Sequence, residues 1–274
     1  MREFQCANDI VYIRDMNLKS KNIQQNPAPP AQAPRHPHNL QSYTIPAEAT
    51  HDPHQFQECL LARSGYQVRL ADSPGQRNKA SMLINSMYSW RGYATDGIEL
   101  TQHHNPNSIT LEASAEEQLF GTLTVGLDSD DGLLADALYQ QEIDTLRSMR
   151  LKVCEITKLA FDPRYSSKES LASLFHLAYI YASDIYSATD LLIEVNPRHA
   201  SFYQRRLGFK QIGEMRVCPR VDAPALLLHV SLEYGAKQIS MHAGSRSKRE
   251  KSLYPYFFSD NEVQGLTNRI RCAA

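Results

Sequence analysis

The sequence lacks the features of a membrane-spanning or secreted protein. No stretch reaches the ~18 uninterrupted apolar residues that a membrane-spanning helix requires. The opening residues, MREFQCANDIVYIRDMNLKSK, carry too many charges for a signal sequence. The five cysteines are odd in number and lack the spacing of metal ligands, which argues against a disulfide framework and a structural zinc site. We therefore expect a cytoplasmic protein without a bound metal.

An excess of charge of one sign is also missing. The 274 residues include 29 basic and 30 acidic side chains, so no overall field attracts nucleic acid or an anionic bilayer. We expect no nucleic-acid partner. The length is sufficient for one large domain or two small ones, and either could bury a core.

Residues 1–57 differ in composition from the rest of the chain. The first glycine is Gly65, yet half of the prolines precede it, together with His36, His38, His51 and His54. Such a segment buries too little apolar surface to offset its conformational entropy, so we predict that residues 1–57 are disordered or extended. The four histidines could bind a metal, but a tail or tether is the favoured interpretation.

Apolar periodicity after residue 57 predicts alternating strands and helices in one domain, 58–235. The predicted strands are 66–71, 108–113, 118–127, 151–162, 191–195, 211–217 and 225–233, and the predicted helices are 74–90, 134–149, 169–186 and 197–207.

Local signals define several of these boundaries. Ser73 and Gln76 form a predicted capping box at the second element, and Ser166 with Glu169 forms another before the third helix. Irregular alternation in LKVCEITKLAFD predicts a β-bulge near 157–159, which would turn a backbone N–H toward a groove. His176 lies off the apolar stripe of its helix, so we predict that it is at the surface.

The stretch DLLIEVNPRHASFYQRRLGF, 190–209, combines a buried strand, Asn196-Pro197 and a helix that ends at Gly208. It resembles the last conserved block of the GNAT N-acyltransferase superfamily. The order of predicted elements is also that of the GNAT fold. The resemblance implies an α/β (α+β) protein with a mixed central sheet flanked by helices.

Three further blocks narrow the resemblance: Gly121-Thr-Leu-Thr-Val with Asp128, Glu142-Ile-Asp with Leu-Arg147, and Glu155-Ile-Thr-Lys-Leu-Ala160. Together they resemble the bacterial long-chain N-acyl amino acid synthases, over about 66–234. That family implies transfer of a long-chain acyl group from acyl carrier protein to the α-amino group of an amino acid.

Two alternative functions remain open. The Glu155 block is also similar to the acyl-homoserine-lactone autoinducer synthases, but Thr122 and Lys158 stand where that branch favours arginine. A non-catalytic GNAT-like module that binds acyl ligands or carrier protein is the other alternative.

Glu155 and Tyr203 are the predicted catalytic residues. An amine attacks a thioester only as the free base, and Glu155 is the candidate acceptor of its proton; a structural ion pair is the alternative. A backbone N–H of the bulge, around Leu159–Phe161, could stabilise the oxyanion. The resemblance places Tyr203 where many GNAT enzymes keep a tyrosine that protonates the thiolate; a core tyrosine bonded to backbone is the alternative.

The expected donor follows from missing glycines. Acyl-CoA enzymes of this superfamily usually carry glycines before the third helix, where backbone N–H groups approach a pyrophosphate. Here Ser167 and Glu169 stand at those positions. We therefore expect no permanent cofactor, and an acyl-phosphopantetheine on acyl carrier protein, rather than acyl-CoA, as co-substrate. The predicted donor-binding residues are Lys158, Leu159, Phe161, Arg164, Ser167, Asn196 and Arg198.

A single basic patch is predicted to receive the acidic carrier protein. Its predicted members are Arg150, Lys152, Arg164, Lys168, Arg198, Arg205 and Arg206. Arg77 and Arg91, at the ends of the first helix, are either solvated or bind the acceptor carboxylate.

The C-terminal extension, 236–274, has a basic run followed by an aromatic cluster. Ser259 and Glu262 could cap a short helix there. The aromatic side chains of Tyr254, Tyr256, Phe257 and Phe258 are predicted to pack on the domain, although a basic run beside aromatics could also make a peripheral membrane contact.

Overall fold

The structure, a computed structural model, describes residues 59–95, 106–247 and 249–273. The predicted tail, 1–57, and its four histidines lie outside these ranges. The strands are β1 (Cys59–Arg63), β2 (Tyr66–Leu70), β3 (Ser108–Ala115), β4 (Gln118–Leu127), β5 (Val153–Phe161), β6 (Asp190–Val195), β7 (Lys210–Gln211), β8 (Arg216–Cys218) and β9 (Ala223–Ser231). The helices are α1 (Pro74–Trp90), α2 (Asp136–Ser148), α3 (Lys168–Ile180), α4 (Pro197–Leu207), α5 (Leu232–His242) and α6 (Asp260–Ala273).

The strands form one mixed sheet in the order β1-β2-β3-β4-β5-β6-β9-β7, and β8 pairs with β9. The pairs are antiparallel except for β5 and β6, which run parallel. Their ladder ends at Ile156 opposite Ile193, although β5 continues to Phe161 and β6 to Val195. The edge of β5 from Thr157 onward therefore faces a gap rather than a strand partner within the described sheet.

The predicted bulge in β5 is confirmed. Thr122 of β4 pairs with Ala160 and Thr124 pairs with Thr157, so two residues of β5 lie opposite one residue of β4. Lys158, inside the bulge, has a left-handed φ of 53°, and its carbonyl accepts a hydrogen bond from the Thr122 hydroxyl at 3.0 Å. The bulge adds local twist where the gap to β6 opens.

Two helix ends follow the sequence signals. Ser73 and Gln76 form the predicted capping box of α1. Gly208 ends α4 in the left-handed conformation, with φ 80°. A β-carbon at Gly208 would also lie only 2.2 Å from the Tyr234 ring, so this position requires glycine for its conformation and for its packing.

The predicted cap of α3 is wrong by one residue. Ser167, not Ser166, has the extended N-cap conformation, and its hydroxyl accepts from the Ser170 N–H at 3.0 Å. The Ser170 hydroxyl accepts in turn from the Ser167 N–H at 2.9 Å. Ser170 is buried, and its short hydroxyl performs the capping role that we assigned to the longer side chain of Glu169.

The surface position predicted for His176 is wrong. Its side chain is 1% exposed, and its ring stacks on Phe257 at 4.6 Å and on Phe258 at 4.8 Å between centroids. The Phe258 N–H donates to His176 Nδ1 at 2.8 Å. A single apolar stripe predicts one buried helix face, whereas the C-terminal segment covers a second face of α3.

The aromatic cluster of the C-terminal segment packs on its own domain, as predicted. Tyr254, Phe257 and Phe258 are buried in the main core together with Leu266 and Ile270 of α6. The predicted Ser259–Glu262 cap also forms, since the Ser259 N–H and hydroxyl both donate to the Glu262 carboxylate. A peripheral membrane contact by this cluster would require its removal from the core.

The predicted strand 211–217 is wrong, because a turn divides it into β7 and β8. The N–H groups of Ile212 and Gly213 both donate to the Leu227 carbonyl, and a β-carbon at Gly213 would lie 2.6 Å from the Tyr139 ring. The turn is thus packed tightly against α2. In the ranges that the structure describes, no helix is both long and apolar enough to cross a membrane.

Candidate active site

A large cavity opens at the gap between β5 and β6. Its volume is about 860 Å³, near the upper end of the ~300–1,000 Å³ typical of small-molecule sites. Residues of α1, β3, β4, β5, β6, α4 and the β8–β9 turn line it.

Glu155 lies on the wall of this cavity and is 4% exposed. Its Oε1 accepts the Leu134 N–H at 2.7 Å and its Oε2 accepts the Ala135 N–H at 3.1 Å. Burial raises the pKa of Glu155 to about 7, although these two hydrogen bonds favour the carboxylate. A carboxyl group with this pKa exchanges protons near neutral pH.

The space for the Glu155 carboxylate comes from Gly126, its partner across the β4–β5 ladder. A β-carbon at position 126 would lie 3.1 Å from Glu155 Cγ and 3.2 Å from Oε1. Glycine at this position lets the carboxylate lie over the sheet and reach the backbone before α2.

Tyr203, on α4, lines the same cavity. Its ring packs edge-on against Phe175, Phe202 and Phe209. Burial raises the pKa of Tyr203 above its ordinary value. The Tyr203 phenol is therefore protonated at neutral pH.

Four cationic side chains line the cavity: Arg77, Arg91, Lys158 and Arg220. Arg220 forms a 2.8 Å ion pair with Glu194 of β6 and also donates to the Leu134 carbonyl. Burial lowers the pKa of Lys158, which lies near enough to Glu155 for the carboxylate to oppose that shift.

Comparison with known families decides the identity of the fold and its chemistry. The family described as N-acyl amino acid synthase FeeM matches residues 79–231, which is more than half of the chain. The chain belongs to this family. It is an acyltransferase with the GNAT-like fold, and the matched range contains both Glu155 and Tyr203.

Solved structures resemble the acyltransferase to different degrees. The structure of FeeM, an N-acyl amino acid synthase from uncultured soil microbes, shares 27% identity and a TM-score of 0.56, over 61% of this chain and 92% of that chain. A GNAT-family acetyltransferase from Streptococcus pneumoniae shares 17% identity and a TM-score of 0.44, over 61% of this chain and 99% of that chain. The AHL synthase LasI shares 11% identity and a TM-score of 0.43, over 61% of this chain and 90% of that chain. No curated protein matches the chain.

The acyltransferase brings together only some of the predicted donor-binding residues. Those that line the cavity are Lys158, Leu159, Phe161 and Asn196. Arg164 is instead exposed and pairs with Asp162 at 2.6 Å. Ser167 caps α3, and Arg198 lies over the Tyr93 ring at 5.0 Å while donating to the Arg91 carbonyl.

Tyr88, Tyr93, Glu194 and Arg220 also line the cavity but were not among the predicted site residues. Glu194 carried a detectable signal, since it interrupts the apolar residues that follow Asp190 in β6. The others carried none, because two flank the end of α1 and one lies in the turn before β9. Their proximity results from tertiary packing.

The predicted single basic patch is also divided. Arg150 and Lys152 precede β5, whereas Arg164 and Lys168 follow it. A nine-residue strand separates the two groups by about 26 Å at ~3.3 Å per residue. They cannot bind one small contact surface together.

Proposed function

We propose that the protein transfers a long-chain acyl group from the phosphopantetheine of acyl carrier protein to the α-amino group of an amino acid. The observation that carries this proposal is Glu155, a carboxylate of pKa about 7 in a cavity of about 860 Å³ where β5 and β6 separate. Membership of the family supports the amino acid as acceptor.

In the proposed reaction, Glu155 accepts a proton from the α-ammonium of the acceptor. The free amine then attacks the thioester carbonyl carbon, and a carbon–nitrogen bond forms as the carbonyl becomes an oxyanion. We assign the stabilisation of that charge to a backbone N–H around Leu159–Phe161, where β5 has no partner on its β6 side.

Collapse of the tetrahedral intermediate breaks the carbon–sulfur bond and releases a thiolate. We assign to Tyr203 the proton that this thiolate requires, because its phenol is protonated at neutral pH and the residue lines the cavity. The nitrogen loses its second proton as the amide forms, which restores the tyrosine. The products are an N-acyl amino acid, a thiol and one proton.

A basic group beside the N-terminus of α3, formed by Lys168 and Arg206, supports acyl carrier protein as the acyl donor. Burial lowers the pKa of Lys168, and the positive charge of nearby Arg206 lowers it further. The Arg206 guanidinium donates to the Lys251 carbonyl. A helix N-terminus with cations beside it suits a phosphodiester. The side chain of Ser167 caps that end, which leaves less open backbone for the pyrophosphate of coenzyme A.

The test is direct. Purified protein is incubated with C8 to C16 acyl carrier protein thioesters, or with the matching acyl-CoA thioesters, and each of the twenty amino acids; mass spectrometry then detects the amide. We expect an N-acyl amino acid from the carrier-protein thioester at a higher kcat/KM than from acyl-CoA. Absence of amide with every acceptor would refute the proposal, and acylation of S-adenosylmethionine alone would favour the autoinducer chemistry.

A further inference from the structure

We propose that Arg91 binds the carboxylate of the acceptor, with the Tyr93 hydroxyl as a second donor to the same group. This inference rests on the proposed function, because it identifies what the cavity recognises in an amino acid. It follows from comparing how the four cavity-lining cations are already engaged.

Three of those cations are held by the protein. Arg220 is neutralised by Glu194 at 2.8 Å. Arg77 donates to the backbone carbonyls of Ala71 and Asp72, which fixes it to the β2–α1 turn. Lys158 lies beside Glu155, the proposed base.

Arg91 is different, because no carboxylate of the described chain pairs with it. Its Nη1 donates to the Met87 carbonyl at 2.9 Å, and its guanidinium lies over the Trp90 ring at 5.4 Å. The side chain is partly buried, and burial lowers the Arg91 pKa. A partly buried cation without an anionic partner is costly, and a ligand carboxylate would relieve that cost.

Tyr93 supplies an independent observation. Its hydroxyl is buried and finds no hydrogen-bond partner in the ranges that the structure describes. Tyr93 lines the cavity, packs edge-on against Tyr88 at 5.8 Å, and lies close enough to Arg91 for its charge to affect that guanidinium. An unpaired buried hydroxyl costs about 1–3 kcal/mol, so an acceptor oxygen from a ligand would also satisfy Tyr93.

The position relative to Tyr203 suits an acceptor. Arg91 and Tyr93 are both near enough to Tyr203 to influence its ionisation. The carboxylate and amine of an α-amino acid share one carbon, so a carboxylate held at Arg91 places the amine beside the group that would protonate the leaving thiolate. A structural role is the competing interpretation, since Arg91 also caps the C-terminus of α1.

Binding measurements separate the two roles without requiring turnover. The probes are N-dodecanoylglycine and N-dodecanoylglycinamide, which differ only in the carboxylate, and calorimetry measures both with the wild type, Arg91→Met, Arg91→Lys and Tyr93→Phe. We expect the wild type to bind the acid about 100-fold more tightly than the amide. Arg91→Met should abolish that preference by weakening the acid alone, Arg91→Lys should retain part of it, and Tyr93→Phe should reduce it about fivefold.

The matched control is Arg77→Met, which removes another cavity-lining guanidinium and should keep the preference for the acid. Equal weakening of acid and amide by Arg91→Met and Arg91→Lys would overturn the inference and assign Arg91 a structural role. A wild type that binds both probes equally would overturn it as well. A wild type that prefers the acid yet forms no amide in turnover assays would instead refute the proposed function alone.

Discussion

Glu155 shows how one side chain can have a structural and a chemical role. Its two oxygens hold the backbone that leads into α2, and burial gives its carboxyl a pKa suited to proton transfer. The motif in the sequence identified Glu155 but not this environment, because the Leu134 and Ala135 N–H groups come from a loop about 20 positions away. Its alternative, an ion pair, does not form among the described residues.

We expect kcat/KM to rise with pH and to level off above an inflection near 7, because Glu155 accepts a proton only as the carboxylate. Glu155→Gln should lose that inflection and at least ~100-fold in kcat. The measurement is a pH–rate profile with saturating acyl donor. Because this pKa is raised from 4.5, the contribution of Glu155 to stability is present below pH 4.5 and is lost as pH rises to about 7.

The control for that variant is Glu117→Gln, an exposed carboxylate in the β3–β4 turn. It should leave the profile unchanged. An unaltered inflection in Glu155→Gln, with normal thermal unfolding, would assign the titrating group to another residue.

Gly126→Ala tests the space that Glu155 needs. The new β-carbon would lie 3.1 Å from Glu155 Cγ, so the Glu155 side chain must shift by a few tenths of an ångström, and we expect its hydrogen bonds to Leu134 and Ala135 to weaken. Weaker hydrogen bonds to the carboxylate raise the Glu155 pKa further, so we expect the inflection of the profile to move to higher pH with a kcat about tenfold lower. Gly75→Ala is the matched control, since a β-carbon at Gly75 meets nothing within 4 Å; equal profiles for both variants would contradict the prediction.

At the scale of elements, α3 illustrates what periodicity can and cannot predict. The spacing predicted a helix over 169–186, of which Lys168–Ile180 is α-helical and Tyr181–Ile185 is π-helical. It could not predict that Phe257 and Phe258 cover a second face. The strands β4 and β5 and the bulge were predictable because they depend on local alternation. The turn between β7 and β8 was not, since it depends on Tyr139 of another element.

We expect the C-terminal segment to loosen from α3 at acidic pH. Burial lowers the His176 pKa from 6.5 to about 3, so the stability that neutral His176 contributes is present above pH 6.5 and is lost as pH falls toward 3. Between pH 7 and 5 the loss is about 2 kcal/mol. His176→Asn keeps an acceptor that does not titrate in this range, so the stability difference between the wild type and this variant should shrink by that amount.

Urea unfolding at pH 7 and pH 5 measures this difference. The control, His242→Asn, alters a histidine at the end of α5 and should retain the pH dependence of the wild type. A constant difference between the wild type and His176→Asn at both pH values would show that His176 does not carry the effect.

At the scale of the whole molecule, net charge says little about partners, because the total of −1 hides local groups of like charge. The sequence identified most of the basic residues, but their division between the two ends of β5 depends on the topology of the sheet. The contact of the Arg206 guanidinium with the Lys251 carbonyl could not be predicted from the sequence, because it forms only in the folded C-terminal segment.

Charge reversal tests whether the basic group beside the N-terminus of α3, Lys168 and Arg206, binds acyl carrier protein. Lys168→Glu combined with Arg206→Glu should raise KM for acyl carrier protein thioesters about tenfold and leave KM for an acyl-pantetheine thioester nearly unchanged, because the small donor lacks the acidic protein surface. The increase should diminish at high ionic strength. Lys79→Glu, an exposed position on α1, is the control, and an equal rise in KM for both donors would refute a docking role.

The contact of the C-terminal segment with β1 has a consequence for how the protein is made. Arg63 forms an ion pair with Glu262, 199 positions later, and its guanidinium also lies over the Phe258 ring. At ~5–20 residues per second, a ribosome needs about 10–40 seconds to synthesise that interval. The edge strand β1 therefore lacks its contact with the C-terminal segment during this part of translation. Chaperones that bind exposed sheet edges could bind β1 in that interval.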